Sequence, residues 1–207
     1  LESLAGLSPW PGRLAESRVV VVGAAARGLR PWSAFADGQR GDFTAAAAVA
    51  LDDRMNIQYT SGTTGFPKGC ILTHRYWLTI GKVAAWRDGR AFKRVLAATP
   101  FFYMDPQWLL LMTLFHRGTL FVAKRQSSSR FMGWVRDHRI EFCLFPEMVF
   151  KQPPDPRDRE NEIIRVNVYG LHKEVQAALE DRFDFIAREA FGMTEAGSCL
   201  FMPIEAT

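Results

Sequence analysis

The chain has 207 residues, 48% hydrophobic and 23% charged, which is enough for a domain with a sizeable core and unlike a disordered segment. Its net charge of +4 comes from scattered arginines without a long basic run, which argues against a nucleic-acid surface and suits small anionic ligands. Apolar runs such as Trp108 to Phe115 are far short of the ~20 residues of a membrane helix, and Cys70, Cys143 and Cys199 have neither disulfide nor metal-ligand spacing, so a reducing, cytoplasmic setting is expected.

In chain order, Arg18 to Val22 reads as a β-branched strand ending at Gly23, and Asp42 to Asp53 as an alanine-rich helix or connector. Met55 to Thr60 alternates apolar and polar residues as a strand does, and Cys70 to Thr73 is apolar again. His74 to Trp86 is a predicted helix with Trp77, Ile80, Val83 and Ala84 on one face, followed by a buried strand from Val95 to Ala98. Asp105 as N-cap and Pro106 as first helical residue open a helix that ends before Gly118, and Thr119 to Ala123 is the next strand. Ser129 is expected to cap a helix carrying Phe131, Trp134, Val135 and His138 inward, before a strand from Glu141 to Phe145. Gln152 to Asn161, with three prolines and a charge cluster, reads as an exposed linker or subdomain joint. A strand from Ile163 to Tyr169 follows, then a helix from Lys173 to Phe183 with Val175, Ala178, Leu179 and Phe183 inward, then Phe185 to Ala187. The alternation of strands and helices predicts an α/β fold, a mainly parallel sheet flanked by helices.

One stretch concentrates chemistry. Tyr59 to His74, YTSGTTGFPKGCILTH, carries hydroxyls at Thr60, Ser61, Thr63 and Thr64, glycines at Gly62, Gly65 and Gly69, and the charge of Lys68. Glycines let backbone N–H groups turn toward a ligand, hydroxyls donate, and a lysine balances anionic charge, so the inventory suits phosphate. Placed between strand ends, the loop would sit where α/β sheets bind ligands. A Walker A phosphotransferase is disfavoured, because Pro67 and Gly69 flank Lys68 where that motif needs Gly and then Ser or Thr. A plain surface loop of turn-forming residues is the bland alternative.

YTSGTTGFPKG resembles the phosphate-loop signature of the adenylate-forming superfamily, which includes acyl- and aryl-CoA synthetases, luciferases and peptide-synthetase adenylation domains. FGMTEAG, Phe191 to Gly197, is similar to that family's aromatic-Gly-x-Thr-Glu motif. Within the family, ATPFFYMDPQW and FKQPPDPRDRENEIIRVNVYGL look most like carnitine and crotonobetaine CoA ligases. The resemblance implies ATP and Mg2+, with coenzyme A and a small carboxylic acid as co-substrates. It places Thr60, Ser61, Gly62, Thr63, Thr64, Gly65 and Lys68 on the β- and γ-phosphates, Thr194 on the α-phosphate, and Thr60 and Glu195 on the metal. Tyr169, Gly170 and Leu171 fall on one side of the adenine, and Phe191, Gly192 and Met193 on the other. Lys68, Thr194 and Glu195 are the expected catalytic group.

The resemblance also implies that residues 1–207 are a partial large N-terminal domain, with a ribose-binding aspartate, a hinge and a lysine-bearing C-terminal domain expected beyond Thr207. The first residue, Leu1, fits a partial chain. The rival from another class is a nucleotide-binding fragment or pseudoenzyme that ligates nothing; monomer and homo-oligomer both stay open. Glu195 has a bland alternative as a solvated acid near a helix start. His74 has one as a structural hydrogen-bonding residue, and His116 as a helix-end residue complementing the dipole. Tyr103 stands where many family members carry a histidine. For a cationic acid, Phe102, Tyr103 and Trp108 offer aromatic faces and Asp105 a charge partner.

Overall fold

The computed structural model describes residues 19–22, 29–37, 39, 41–42, 44, 47–61 and 65–206. Two compact units divide between Ala48 and Val49. In the first, strand β1 (Val20–Val21) pairs in parallel with β2 (Arg30–Pro31), and helix α1 (Trp32–Ala36) follows at once. Arg18 and Gly23, the ends of the predicted first strand, lie outside the described residues, as do Phe43, Ala45 and Ala46 of the alanine-rich stretch. From Ala47 to Asp53 the chain is not helical; Asp53 closes a turn by accepting from the Ala50 N–H through its side chain at 2.8 Å.

The second unit begins with a two-stranded antiparallel ribbon, β3 (Arg54–Thr60) and β4 (Lys68–Thr73), and then helix α2 (His74–Trp86). Strand β5 (Arg94–Ala97), helix α3 (Met104–Phe115), strand β6 (Thr119–Val122), helix α4 (Ser128–Asp137) and strand β7 (Phe142–Leu144) come next. The short helix α5 (Glu147–Phe150), strand β8 (Arg165–Val168), helix α6 (Lys173–Phe183) and strands β9 (Ile186–Met193) and β10 (Gly197–Phe201) complete it. The main sheet has six strands in the order β10-β9-β8-β7-β5-β6, parallel throughout except for the antiparallel β9–β10 pair, as the β-α alternation predicts.

Successive strand residues face opposite sides, and the two cores follow that period. On β5, Val95 and Ala97 join a core built with Trp77, Ile80 and Ala84 of α2 and Trp108, Leu109 and Met112 of α3. Leu96, between them, joins the opposite core with Phe131 and Val135 of α4 and Leu179 and Phe183 of α6. All four residues of β8 are buried, as befits a central strand covered on both faces.

Several predicted details change. Helix α3 begins at Met104 with extended Tyr103 as N-cap, so Asp105 is not the cap. Pro106 still falls in the first turn, where a missing N–H needs no partner. The N-cap position of α4 is Ser127 rather than Ser129, and it makes no side-chain cap bond, whereas Thr73 caps α2 by accepting from Tyr76 N–H at 3.2 Å. Val83, Ala178 and His138 are exposed, because the buried faces run through Ile80 and Ala84, through Leu179 and Phe183, and through Phe131 and Val135; His138 stacks on Phe121 instead. His116 is buried, its Nδ1 accepting from Phe92 N–H at 3.1 Å and its Nε2 facing Ala85 O at 2.7 Å, a pattern that the neutral Nε2–H tautomer satisfies in place of a charged dipole partner. The proline-rich segment is tied to α6: Arg182 donates to Asp158 Oδ2 at 2.7 Å and to the carbonyls of Phe150, Gln152 and Pro153.

Candidate nucleotide-binding site

The hydroxyl- and glycine-rich loop closes the β3–β4 ribbon, whose last pair is Thr60 opposite Lys68. It therefore lies between strand ends as its sequence suggested, but the strands are an antiparallel pair outside the main sheet. It also lacks the strand-to-helix passage of a Walker A loop. Gly62, Thr63 and Thr64 lie outside the described residues; Ser61, Gly65 and Lys68 are exposed, and Thr60 is half-buried. Gly65 has φ +91°, as the turn requires, but Gly69 is an ordinary strand residue. A Cβ at Gly69 would come within 2.9 Å of Ile57, so close approach, not positive φ, accounts for it. The ribbon is fastened by a polar network. Trp77 Nε1 donates to Asn56 Oδ1 at 3.0 Å, Asn56 donates to Gln107 at 3.2 Å, Gln107 donates to Gln58 at 3.1 Å, and Gln58 donates to the Phe102 carbonyl.

FGMTEAG forms the second hairpin. Strand β9 runs through Met193, the chain turns at Thr194 to Ala196, and β10 returns antiparallel, so Glu195 is an exposed residue of a tight turn and not of a helix start. The motif's last glycine is explained by space and backbone: Gly197 has φ +79°, and a Cβ there would stand 2.6 Å from Ile80 Cδ1. The same closeness lets the Tyr76 hydroxyl donate to the Thr194 carbonyl at 2.6 Å.

The two hairpins meet at this point. Burial pushes the Cys70 thiol up, and the Glu195 carboxylate adds through its charge and a hydrogen bond while Lys68 opposes. Glu195 is thus beside β4, whose Cys70–Gln58 pair lies two residues from the Lys68–Thr60 pair. Burial likewise pushes Tyr76 up to about 12, with the charges of Cys70, Cys199 and Glu195 adding to it. Sequence reasoning did not single out Tyr76.

Beside the second hairpin a cavity of about 350 Å³ is lined by Tyr169, Gly170, Phe191, Gly192, Met193 and Thr194, six of the expected nucleotide residues. Leu171 does not line it and is packed in the α4/α6 core. Met104, Asp105, Trp108, Glu189 and Ser198 also line it. A smaller cavity of about 180 Å³ shares Asp105 and Tyr169 with the first and is otherwise mainly apolar.

Beneath β9 and β10 lies an arginine network that sequence reasoning missed. Arg165, fully buried on β8, pairs with Asp88, lies near Asn167 Oδ1 at 3.3 Å and donates to Met202 O at 3.1 Å. Arg188 on β9 donates to Glu180 at 2.7 Å and to Pro203 O and Ile204 O. Arg87 donates to Asn167 at 3.1 Å and pairs with Asp88. Burial and the nearby Arg87 draw Arg165 down to about 10, which leaves it charged at neutral pH.

A family model described as AMP-binding enzyme matches residues 5–207. The chain belongs to that family. Among curated AMP-binding relatives, a crotonobetaine/carnitine–CoA ligase from Shigella dysenteriae serotype 1 (strain Sd197) is 32% identical over 160 residues, covering 72% of this chain and 30% of the relative. One of the same name from Escherichia coli O45:K1 (strain S88 / ExPEC) is 34% identical over 161 residues, with the same coverage. The chain therefore spans 30% of the length of these relatives. Among solved structures, the luciferase-like enzyme from the nonluminescent Zophobas morio mealworm superposes with a TM-score of 0.76 at 16% identity, covering 90% of this chain and 45% of that one. ATP-bound MatB from Rhodopseudomonas palustris gives 0.64 at 22% identity, covering 76% and 33%. These likenesses establish the adenylate-forming fold of this AMP-binding chain.

The donor set of this candidate site is compatible with Mg2+, which keeps several waters and phosphate oxygens and needs only one or two carboxylates from the protein. Among the described residues no group of three or more His, Cys, Asp or Glu could hold a metal ion. Among them, too, no helix is long and apolar enough to cross a membrane.

Proposed function

We propose that this chain is part of an ATP-dependent acid–CoA ligase. A carboxylate oxygen of the acid attacks the α-phosphorus of ATP and pyrophosphate leaves; the CoA thiolate sulfur then attacks the acyl carbon and AMP leaves. Both steps gather negative charge on phosphate oxygens, so positioning and electrostatic stabilisation are the protein's main contributions. The observation that carries the reading is the meeting of the two hairpins, with Thr194 held by Tyr76 at 2.6 Å and Glu195 beside the strand that bears Lys68.

In this reading the loop from Thr60 to Lys68 holds the β- and γ-phosphates, and Lys68 neutralises their charge. Thr194 contacts the α-phosphate, and the adenine lies in the larger cavity between Tyr169–Gly170 and Phe191–Met193. Magnesium, when bound by Thr60 and Glu195, polarises phosphate oxygens. The names of the curated relatives suggest a betaine acid as the substrate class. Three free thiols are in keeping with a cytoplasmic setting.

The test is ATP–pyrophosphate exchange by the complete protein that contains this chain. Acid-dependent exchange is expected, and Glu195→Gln should shift its Mg2+ dependence to severalfold higher concentration. An unchanged Mg2+ profile would remove Glu195 from the metal; nucleotide binding without acid-dependent exchange would favour a nucleotide-binding pseudoenzyme. The chain by itself, 30% of its relatives' length, is expected to form negligible acyl-CoA.

A further inference from the structure

Asp105 forms part of the wall between the two cavities, and its hydrogen bonding is one-sided. Trp108 Nε1–H donates to Oδ1 at 3.2 Å and the Tyr169 hydroxyl donates to the same oxygen at 3.0 Å. Oδ2 accepts nothing among the described residues. Since no buried polar side-chain atom there lacks a partner, Oδ2 must reach open space. Both donors are neutral, and no Lys, Arg or His of the described residues makes an ion pair with Asp105. Arg87, whose guanidinium is 5.9 Å from the Trp108 ring centroid, is engaged by Asp88 and Asn167. A carboxylate fixed at one oxygen by Trp108 and Tyr169, uncompensated in charge and lining the smaller cavity as well as the larger, offers a cation an anionic partner and aromatic surfaces together, apart from the Phe191–Met193 side given to the adenine.

Capping does not account for Asp105, because Tyr103 holds the N-cap position. The exposed rings of Phe102 and Tyr103, tilted against one another with centroids 4.5 Å apart, line neither cavity. The aromatic contribution therefore comes from Trp108 and Tyr169.

We propose that Asp105 is the specificity-determining residue for the acid: its carboxylate, held by Trp108 and Tyr169, selects a substrate bearing a fixed positive charge over a neutral acid of the same shape. This rests on the ligase reading above. The Trp108 and Tyr169 bonds set the direction of the carboxylate, and Oδ2 faces the substrate's cationic end.

The experiment compares γ-butyrobetaine with 5,5-dimethylhexanoate, in which carbon replaces the quaternary nitrogen, as substrates for pyrophosphate release by the complete protein. The wild type should prefer the betaine, and Asp105→Asn should lower the betaine-to-isostere ratio of kcat/KM about 10- to 100-fold, the range of a lost charge-assisted contact. Tyr169→Phe should lower the same ratio by roughly threefold. A wild type that prefers the isostere, or an Asp105→Asn variant that loses both acids in parallel, would overturn the proposal and leave Asp105 a structural role at the helix terminus. If neither acid drives release, the ligase reading fails, and calorimetric binding of the same two acids decides the cation site separately. Tighter wild-type binding of the betaine that Asp105→Asn abolishes sustains the site, and equal binding rejects it.

Discussion

The two hairpins that meet at Thr194 and Glu195 are built in opposite ways. The β3–β4 ribbon is a two-stranded piece outside the main sheet, with Ile57, Tyr59, Phe66 and Ile71 exposed and its other face fastened by a polar network together with Leu72 and Cys70. The β9–β10 hairpin forms one edge of the six-stranded sheet but is rooted on the buried strand β8, with Arg188 and Ala187 buried at its root and the arginines gripping the carbonyls of Met202 to Ile204. An isolated ribbon is marginal, whereas a hairpin rooted in a buried sheet shares the stability of the whole unit. In the proposed reading the fixed hairpin is the reference surface and the ribbon carries the residues that meet the phosphates.

The largest expected effect comes from cutting the root of the fixed hairpin. Asp88→Ala leaves the fully buried Arg165 without its carboxylate partner, and breaking a buried pair in this way costs about 3–5 kcal/mol. Chemical denaturation of the chain should show that loss, and a change below about 1 kcal/mol would mean that the hairpin is held by something other than these arginines. Gly197→Ala is next. Its Cβ would meet Ile80 at 2.6 Å in a backbone of positive φ, so a loss of about 1–3 kcal/mol is expected together with a displaced Thr194.

Lys68→Ala sharpens the contrast from the other side. Lys68 is exposed and makes no described ion pair, so stability should hold within ~0.5 kcal/mol. A phosphate contact worth ~1.5–3 kcal/mol should nevertheless disappear, and pyrophosphate exchange by the complete protein should fall roughly ten- to a hundredfold. Unchanged exchange would take the phosphates away from the ribbon.

The contrast also explains which parts of the molecule were legible in the sequence. The main sheet was readable because its strands are short apolar runs separated by amphipathic helices, a pattern that few architectures satisfy. The arginine root was not: charged residues on a strand read as exposed, and Arg165 meets Asp88 across 77 residues of chain. Asp105–Pro106 satisfied the rule for a helix start, yet Met104 had already entered the helix and freed Asp105 to face Trp108 and Tyr169. The loop's composition pointed to phosphate, but its place on an antiparallel ribbon depends on the pairing of Thr60 with Lys68, which no local pattern encodes.

The smallest effect tests the tie between helix α2, which follows the ribbon, and the turn of the fixed hairpin. Tyr76→Phe removes the hydroxyl that donates to Thr194 O at 2.6 Å, a bond worth about 0.5–1.5 kcal/mol net. The tie has a pH signature. Tyr76 is raised to about 12 from 10.0, so the folded state holds this proton more tightly than the unfolded state does. Its contribution is fully present below pH 10 and declines as pH rises from there through about 12. By pH 11 the linked loss is about 1.4 kcal/mol at most, and roughly half that after solvent screening of a partly buried ring. Urea denaturation at pH 8 and pH 11 should therefore show the wild type losing more stability than Tyr76→Phe, which has no proton to release. Equal losses would mean that the hydroxyl is no better protected in the folded state than in the unfolded one.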